Sequence, residues 1–381
     1  MTTRTKARTK SAPNDLAKRV GQLLVIGFDG TEMSPALASL LTRIQPAGVI
    51  LFARNIVGAA QTSKLLKDCQ ACVPTPLFTC VDLEGGRVDR FREVFGRTPS
   101  AADVFATGRR SLFRKHGKLI GQCCRALGFN TDFAPVVDLA LQASRTVMSS
   151  RAVSSDPKQV VIYAREFLAG LKSASVIGCI KHFPGLGEAN LDTHEDLPRV
   201  NKSLKKLWEE DIYPYRALRR DAPMVLIGHA IYPQVTKDAA PASLSSKWIS
   251  EVLRKKVGYR GLIVSDDLEM GGVLKAAPIE RAAEQFILAG GELCLICHKE
   301  EYVTRSYEHL IAVAQRDTRF ARRMRESAAK IATFRRRSVT IRHRMAPISD
   351  AEVQTLKRRL SEFSEQVRLA SIRRQNMRAS A

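Results

Sequence analysis

Val176-Ile177-Gly178-Cys179-Ile180-Lys181-His182 is an apolar run that stops abruptly on two basic residues, and Phe183-Pro184-Gly185 follows at once. Proline has no N–H for a sheet ladder and glycine tolerates backbone that other residues avoid, so this trio ends a strand and opens a turn. Seven more runs read the same way: Leu23–Phe28, Gly48–Ala53, Pro76–Asp82, Asp132–Leu139, Pro223–Ala230, Gly261–Asp266 and Gly291–Cys297. They are rich in Val, Ile and Leu without clean alternation, as strands buried on both faces of a parallel sheet are. Between them Ala59–Ala71, Arg109–Leu127, Pro157–Ser173, Leu204–Arg220 and Pro278–Ala289 carry helical spacing. Eight strand-then-helix units predict an α/β fold, a single (β/α)8 TIM-type barrel. An open doubly wound sheet is the competing arrangement, weakened because no G-x-G-x-x-G follows an early strand.

A barrel gathers its functional groups at the C-terminal ends of its strands. The third run ends in Asp82, with Glu84 and Arg87 beyond it. The fifth ends in Lys181-His182, the sixth near His229, and the seventh in Asp266-Asp267. Polar residues stand where apolar strands stop, as an active-site rim requires. A carboxylate such as Asp266, at the end of a buried strand, can be a nucleophile, a metal ligand or a hydrogen-bond acceptor. Its neighbour Asp267 points elsewhere and is expected to cap the next helix. Asp82 suits hydrogen bonding to sugar hydroxyls, and Gly85-Gly86 lets the backbone pass close to a ligand. Beyond Gly187, Asp192 and His194 lie two apart and share one side of an extended segment. A carboxylate beside an imidazole orients it and favours its protonated form, which suits acid/base work near neutrality.

The chain has 381 residues, 45% hydrophobic and 26% charged, which excludes a mainly disordered protein. No apolar stretch approaches the ~18 residues of a membrane-spanning helix. Residues 1–15 carry Arg4, Lys6, Arg8 and Lys10 without the apolar core of a signal peptide. They read as a basic flexible tail, and the expected location is the cytoplasm. The eight cysteines are scattered, several within apolar runs, as buried free thiols of a reducing compartment are. Cys294-Leu-Ile-Cys297-His298 matches the c-type haem attachment string in form, but it lies within a run read as a buried strand.

The net charge of +23, from 61 Lys and Arg against 38 Asp and Glu, raises polyanions as partners. From Glu301 onward 19 basic residues face 8 acidic ones. Arg335-Arg336-Arg337, Arg342 and Arg344 are the strongest feature of a nucleic-acid or anionic-surface reading, yet no nucleic-acid-binding motif accompanies them. Phe320–Arg337 reads as a basic helix. After Pro347, Ser349-Asp350-Ala351-Glu352 is a capping box, and Val353, Leu356, Leu360, Phe363 and Val367 make an apolar stripe. The stripe is expected to pack on the barrel, with a dimer contact as the alternative. The expected organisation is therefore a tail over 1–15, a barrel over 16–337 and a basic helical extension over 338–381.

K-H-F-P-G-x-G at Lys181–Gly187, D-x-H at Asp192–His194, D-x-E-G-G-R-V at Asp82–Val88 and V-S-D-D at Val264–Asp267 together resemble the family 3 glycoside hydrolases. More narrowly they are similar to the NagZ-type bacterial β-N-acetylglucosaminidases of peptidoglycan recycling. The resemblance runs from about Leu16 to Arg337. It implies a retaining β-N-acetylhexosaminidase that removes terminal N-acetylglucosamine from cell-wall fragments, without metal or cofactor. Asp266 would be the nucleophile, His194 the acid/base and Asp192 its partner. Asp82, Arg90, Arg151, Lys181 and His182 would hold the terminal sugar. A histidine acid/base departs from the usual pair of carboxylates, as this branch does. It would not repel an anionic acceptor, so phosphate is admitted beside water; sugar 1-phosphate formed in phosphate buffer decides that point. Leu186 stands where this family commonly has His, and Leu83 where it commonly has Gln, which removes two polar groups near the sugar. A family 3 β-glucosidase fits less well, since those usually add a large second domain.

Overall fold

The structure is a computed structural model that describes residues 13–189, 197–237, 240–342 and 348–379. Eight strands form: β1 (Leu24–Ile26), β2 (Gly48–Ile50), β3 (Phe78–Val81), β4 (Thr131–Asp132), β5 (Ile177–Phe183), β6 (Met224–Ile227), β7 (Leu262–Asp267) and β8 (Leu293–Ile296). Each pairs in parallel with its neighbour. β1 also pairs with β8, placing Ile26 beside Val49 on one side and Ile296 on the other, so the sheet closes into a barrel. Each of the eight apolar runs contributes one strand, and β1 to β6 and β8 are buried along their whole length.

Local sequence sets the helix ends. Ser34 Oγ accepts from the Leu37 amide at the head of helix Pro35–Ile44, and Asp156 accepts from Lys158 at the head of Pro157–Ser173. Both helices begin with proline, where a missing N–H costs nothing. Helices Arg110–Leu127 and Ile279–Ala289 end on glycines in the left-handed region.

Three expectations need correction. The predicted helix Leu204–Arg220 is two helices, Leu204–Glu209 and Tyr213–Leu218. Pro214 cannot bond back to Glu210, and Glu210 and Asp211 instead turn to the Lys202 ammonium at 2.9 and 2.6 Å. The fourth run, expected over Asp132–Leu139, is regular strand only at its start, in β4; beyond Pro135, which has no N–H for the ladder, it meets β5 again only as a single bridge of Val136 with Lys181. The last three residues of the expected tail, Pro13–Asp15, begin helix Pro13–Gly21, where Asp15 pairs with Arg19 at 2.9 Å. Residues 1–12 lie outside the described set.

The capping box is formed: Glu352 N donates to Ser349 Oγ and Ser349 N to Glu352 Oε2. It starts helix Asp350–Ala379, whose stripe of Val353, Leu356, Leu360, Phe363 and Val367 is buried. The stripe packs on Arg92–Phe95, Ala101–Ala106 and Arg110–Leu127, so its partner is the barrel's own outer layer and not a second chain. The Phe363 ring stacks 5.7 Å from that of His116.

Candidate active site

The C-terminal ends of the strands open on a cavity of about 390 Å3. β3 and the turn after it deliver Asp82, Glu84, Arg87 and Arg90. β5 delivers Lys181 and His182, β7 delivers Asp266 and Asp267, and the residues after β8 deliver Cys297 and His298. Arg151 reaches in from the segment ahead of helix Pro157–Ser173. Six of the eight site residues expected from sequence, Asp82, Arg90, Arg151, Lys181, His182 and Asp266, thus line one cavity. The other two, Asp192 and His194, lie outside the described residues.

Charges are paired tightly at one side. Lys181 Nζ sits 2.7 Å from Asp82 Oδ1 and 2.7 Å from Glu84 Oε1. Arg151 holds Glu84 through two parallel hydrogen bonds, a bidentate geometry that fixes both partners. Burial alone would raise the Glu84 pKa, but Arg151 and Lys181 hold it well below the usual carboxylate range. The same carboxylates outweigh burial and push Lys181 upward, so its ammonium stays charged. Two carboxylates and two cations form a dry, rigid frame with donors and acceptors at fixed positions. Arg90 sits nearby with its guanidinium 5.7 Å from the Phe52 ring, and its buried Nε finds no hydrogen-bond partner among the described residues.

His182 is oriented from behind. Its Nδ1 is 2.6 Å from Asp138 Oδ2, and the other Asp138 oxygen accepts from the Leu186 amide at 2.8 Å. Asp138 thereby sets the imidazole tautomer and the path of the loop that leaves β5. That path also demands Gly185, at φ 134°. A Cβ there would come within 2.5 Å of Asp211. Tyr232 Oη donates to the Gly185 carbonyl at 2.7 Å and pins the turn.

Asp266 lies at the end of β7, partly open to the cavity. Burial would raise its pKa, yet His182 and Lys181, with the Asp267 amide, hold it below the ordinary value. It is an ionised, partly desolvated carboxylate. His229 is fully buried and is kept neutral by that burial. Its Nε2 donates to the Asp267 carbonyl at 2.9 Å and its Nδ1 accepts from Ser243 Oγ at 2.7 Å, which anchors the end of β7. Asp267 does not cap a helix as expected. Its carboxylate accepts from the Glu269 amide and faces His298 Nε2 at 3.3 Å, because the helix after β7 begins only at Gly271.

Sequence reasoning puts Glu84 on the rim without giving it a role, and leaves Asp138 and His298 out of the site. Glu84 carried a signal, a second acid just past a strand end. Asp138 carried a fainter one, an acid near the end of an apolar run. Leu186 lines the cavity, and both Leu186 and Leu83 are buried, so the two departures from the family pattern put apolar side chains inside the fold. Cys294 and Cys297 are also buried, Cys294 within β8 and Cys297 just beyond it.

A closed parallel barrel with an ionised carboxylate at its C-terminal rim, faced by fixed cations, is the arrangement of a (β/α)8 enzyme, and the family match makes that enzyme a glycoside hydrolase. Residues 15–334 match the N-terminal domain of glycosyl hydrolase family 3. The chain belongs to that family. It is 38% identical over 294 residues to a β-hexosaminidase of Alkalilimnicola ehrlichii, covering 75% of this chain and 84% of the relative. A β-hexosaminidase of Stenotrophomonas maltophilia is 35% identical over 285 residues, covering 73% and 84%. Among solved structures, a family 3 β-N-acetylglucosaminidase from Paenibacillus sp. aligns with a TM-score of 0.84 at 30% identity, covering 92% of this chain and 68% of that one. A β-N-acetylhexosaminidase from Beutenbergia cavernae aligns at 0.77 and 25% identity, covering 84% and 97%.

Proposed function

We propose that this protein is a retaining β-N-acetylhexosaminidase that removes terminal N-acetylglucosamine from peptidoglycan-derived fragments in the cytoplasm. The names of the relatives support the activity, and the place of Asp266 carries the mechanism. Its ionised carboxylate attacks the anomeric carbon and forms a covalent glycosyl-enzyme. His194, protonated and favoured in that form by Asp192, gives its proton to the leaving oxygen. It then takes a proton from the water that releases the sugar. Asp82, Arg90, Arg151, Lys181 and His182 hold the terminal sugar while the bond breaks. The paired frame of Lys181, Asp82, Glu84 and Arg151 keeps those contacts preorganised, so little reorganisation is needed in the transition state. No helix of the described residues is long and apolar enough to cross a membrane.

The test is hydrolysis of a chromogenic N-acetyl-β-glucosaminide by wild type and by Asp266→Ala. A loss of about a thousandfold or more is expected for a missing nucleophile. Equal rates would sink the proposal. Trapping with a slow fluorinated glycoside should leave one sugar on the Asp266 peptide, detected by mass. Supplying muropeptides with and without peptide stems then tests the cell-wall assignment.

A further inference from the structure

At the opposite end of the barrel a second groove, of about 780 Å3, opens beneath the N-terminal ends of β5, β6 and β7. Ile177, Gly178, Pro223 and Leu262 contribute to its lining, together with helix Pro157–Ser173 and the last turns of helix Thr318–Arg337. The groove is strongly cationic. Arg165, Lys172, Arg220, Arg260, Lys330 and Arg337 all line it, and Asp221 is the single acid among the described lining residues. Asp221 is taken by Arg165 at 3.1 Å. Lys172, Arg220, Arg260 and Arg337 are exposed and find no carboxylate partner among the described residues.

The charge beneath is also in excess. Lys330 Nζ donates to the Gly261 carbonyl at 2.9 Å and lies 3.3 Å from Glu292. That one buried carboxylate already serves Arg254 and Arg323. Three cations therefore crowd this one buried carboxylate, and only Arg323 turns a second nitrogen to another acid, the exposed Glu326 at 3.2 Å. Burial, and then Arg254 and Arg323 acting against Glu292, push the Lys330 ammonium down to about 8. An anion entering the groove would relieve this repulsion.

We infer that the groove binds a linear oligophosphate, an inorganic polyphosphate chain, independently of the hydrolytic site. Four of the six cations are arginines, whose planar forks match phosphate oxygens in pairs. Ser175, Thr333, Ser338 and Thr340 add hydroxyl donors along the same lining. Phe334 is the only aromatic residue among the described lining, so successive bases would find one platform at most. A single strand of nucleic acid would look for several. The surface is concave, which suits a discrete chain better than a flat lipid layer.

Calorimetric titration of the full chain with size-fractionated inorganic polyphosphate at physiological salt tests this. Wild type is expected to bind. Arg260→Glu with Arg337→Glu should weaken binding at least about tenfold and make the salt dependence shallower by about two, one for each lost phosphate contact. The milder pair Arg220→Gln with Arg260→Gln should move the same way if the first variant folds poorly. Arg319→Glu with Arg322→Glu removes equal charge from exposed positions of helix Thr318–Arg337 outside the groove, and should change affinity less than about twofold. Glycosidase turnover should be unaltered in all three. The proposal is overturned if wild type does not bind, or if the control pair costs as much as the groove pair, which would mean diffuse charge alone. It is also overturned if single-stranded DNA of equal phosphate number binds more tightly. None of these readings depends on the glycosidase assignment.

Discussion

Arg151 and Glu84 are joined inside the cavity by two hydrogen bonds, Nε to Oε2 at 2.7 Å and Nη2 to Oε1 at 2.8 Å, with the Glu84 side chain only 3% exposed. The pair lies 67 residues apart in sequence and ties the turn after β3 to the segment ahead of helix Pro157–Ser173.

Glu84→Gln should therefore cost about 3–5 kcal/mol at neutral pH, because it takes the paired carboxylate from the buried Arg151 and leaves Lys181 with Asp82 alone. The native Glu84 pKa lies below its ordinary value near 4.5, so its contribution is complete above that pH and is lost as acid protonates the folded carboxylate. Thermal melts of wild type and variant should differ most near pH 7. The gap should narrow below about pH 4.5.

His116 is buried against Phe363, with Nδ1 2.9 Å from Tyr163 Oη. Burial pushes its pKa down to about 3 from 6.5. Between those values the unfolded chain takes up a proton that the folded one refuses, so stability falls as pH drops from 6.5 toward 3. His116→Gln, which cannot titrate and can still meet Tyr163, should flatten this part of the melting profile. An unchanged slope would show that other groups govern the acid limb.

His229 anchors β7 at the Asp267 carbonyl without lining the cavity. Its removal should displace Asp266 without deleting any group that touches the sugar. His229→Ala is expected to lower kcat by about a hundredfold, with a smaller change in KM, as misplacement of a reacting group by about 1 Å does. A change confined to KM would contradict a positioning role.

Phe363→Ala opens a cavity between the C-terminal helix and the barrel. The loss should be about 3–5 kcal/mol. Denaturant melts measure it. KM for a small chromogenic substrate should stay unchanged, because this helix packs on the outer helices and contributes no residue to the cavity.

Much of the fold was legible because a parallel barrel buries both faces of each strand, so its strands read as short unbroken apolar runs. The expected helix Ala59–Ala71 has the bounds seen in the structure, as does Pro157–Ser173. The break inside Leu204–Arg220 escaped, although Pro214 marked it, because the lure that turns Glu210 and Asp211 aside is the Lys202 ammonium, a tertiary partner. The candidate site was legible where a charged residue ends a strand, as at Asp82, Lys181 and Asp266. Asp138 was missed because its value lies in a partner 44 residues away, His182.

The net charge behaved differently from the motifs. Composition alone counted it, and the run of arginines at 335–337 drew attention to the C-terminal part. Tertiary structure separates those three residues: Arg335 is buried, with Nη1 on Gln22 and Nη2 on the Ala47 carbonyl, whereas Arg337 lines the groove with Arg220 and Arg260. Sequence by itself determined the number of strands, their order and the acid at the end of β7, since hydrophobic burial and strand length are written locally. Only the folded chain decided which charges neutralise one another and which remain exposed, because pairing energy depends on distance and on access to water, and neither follows from position along the chain.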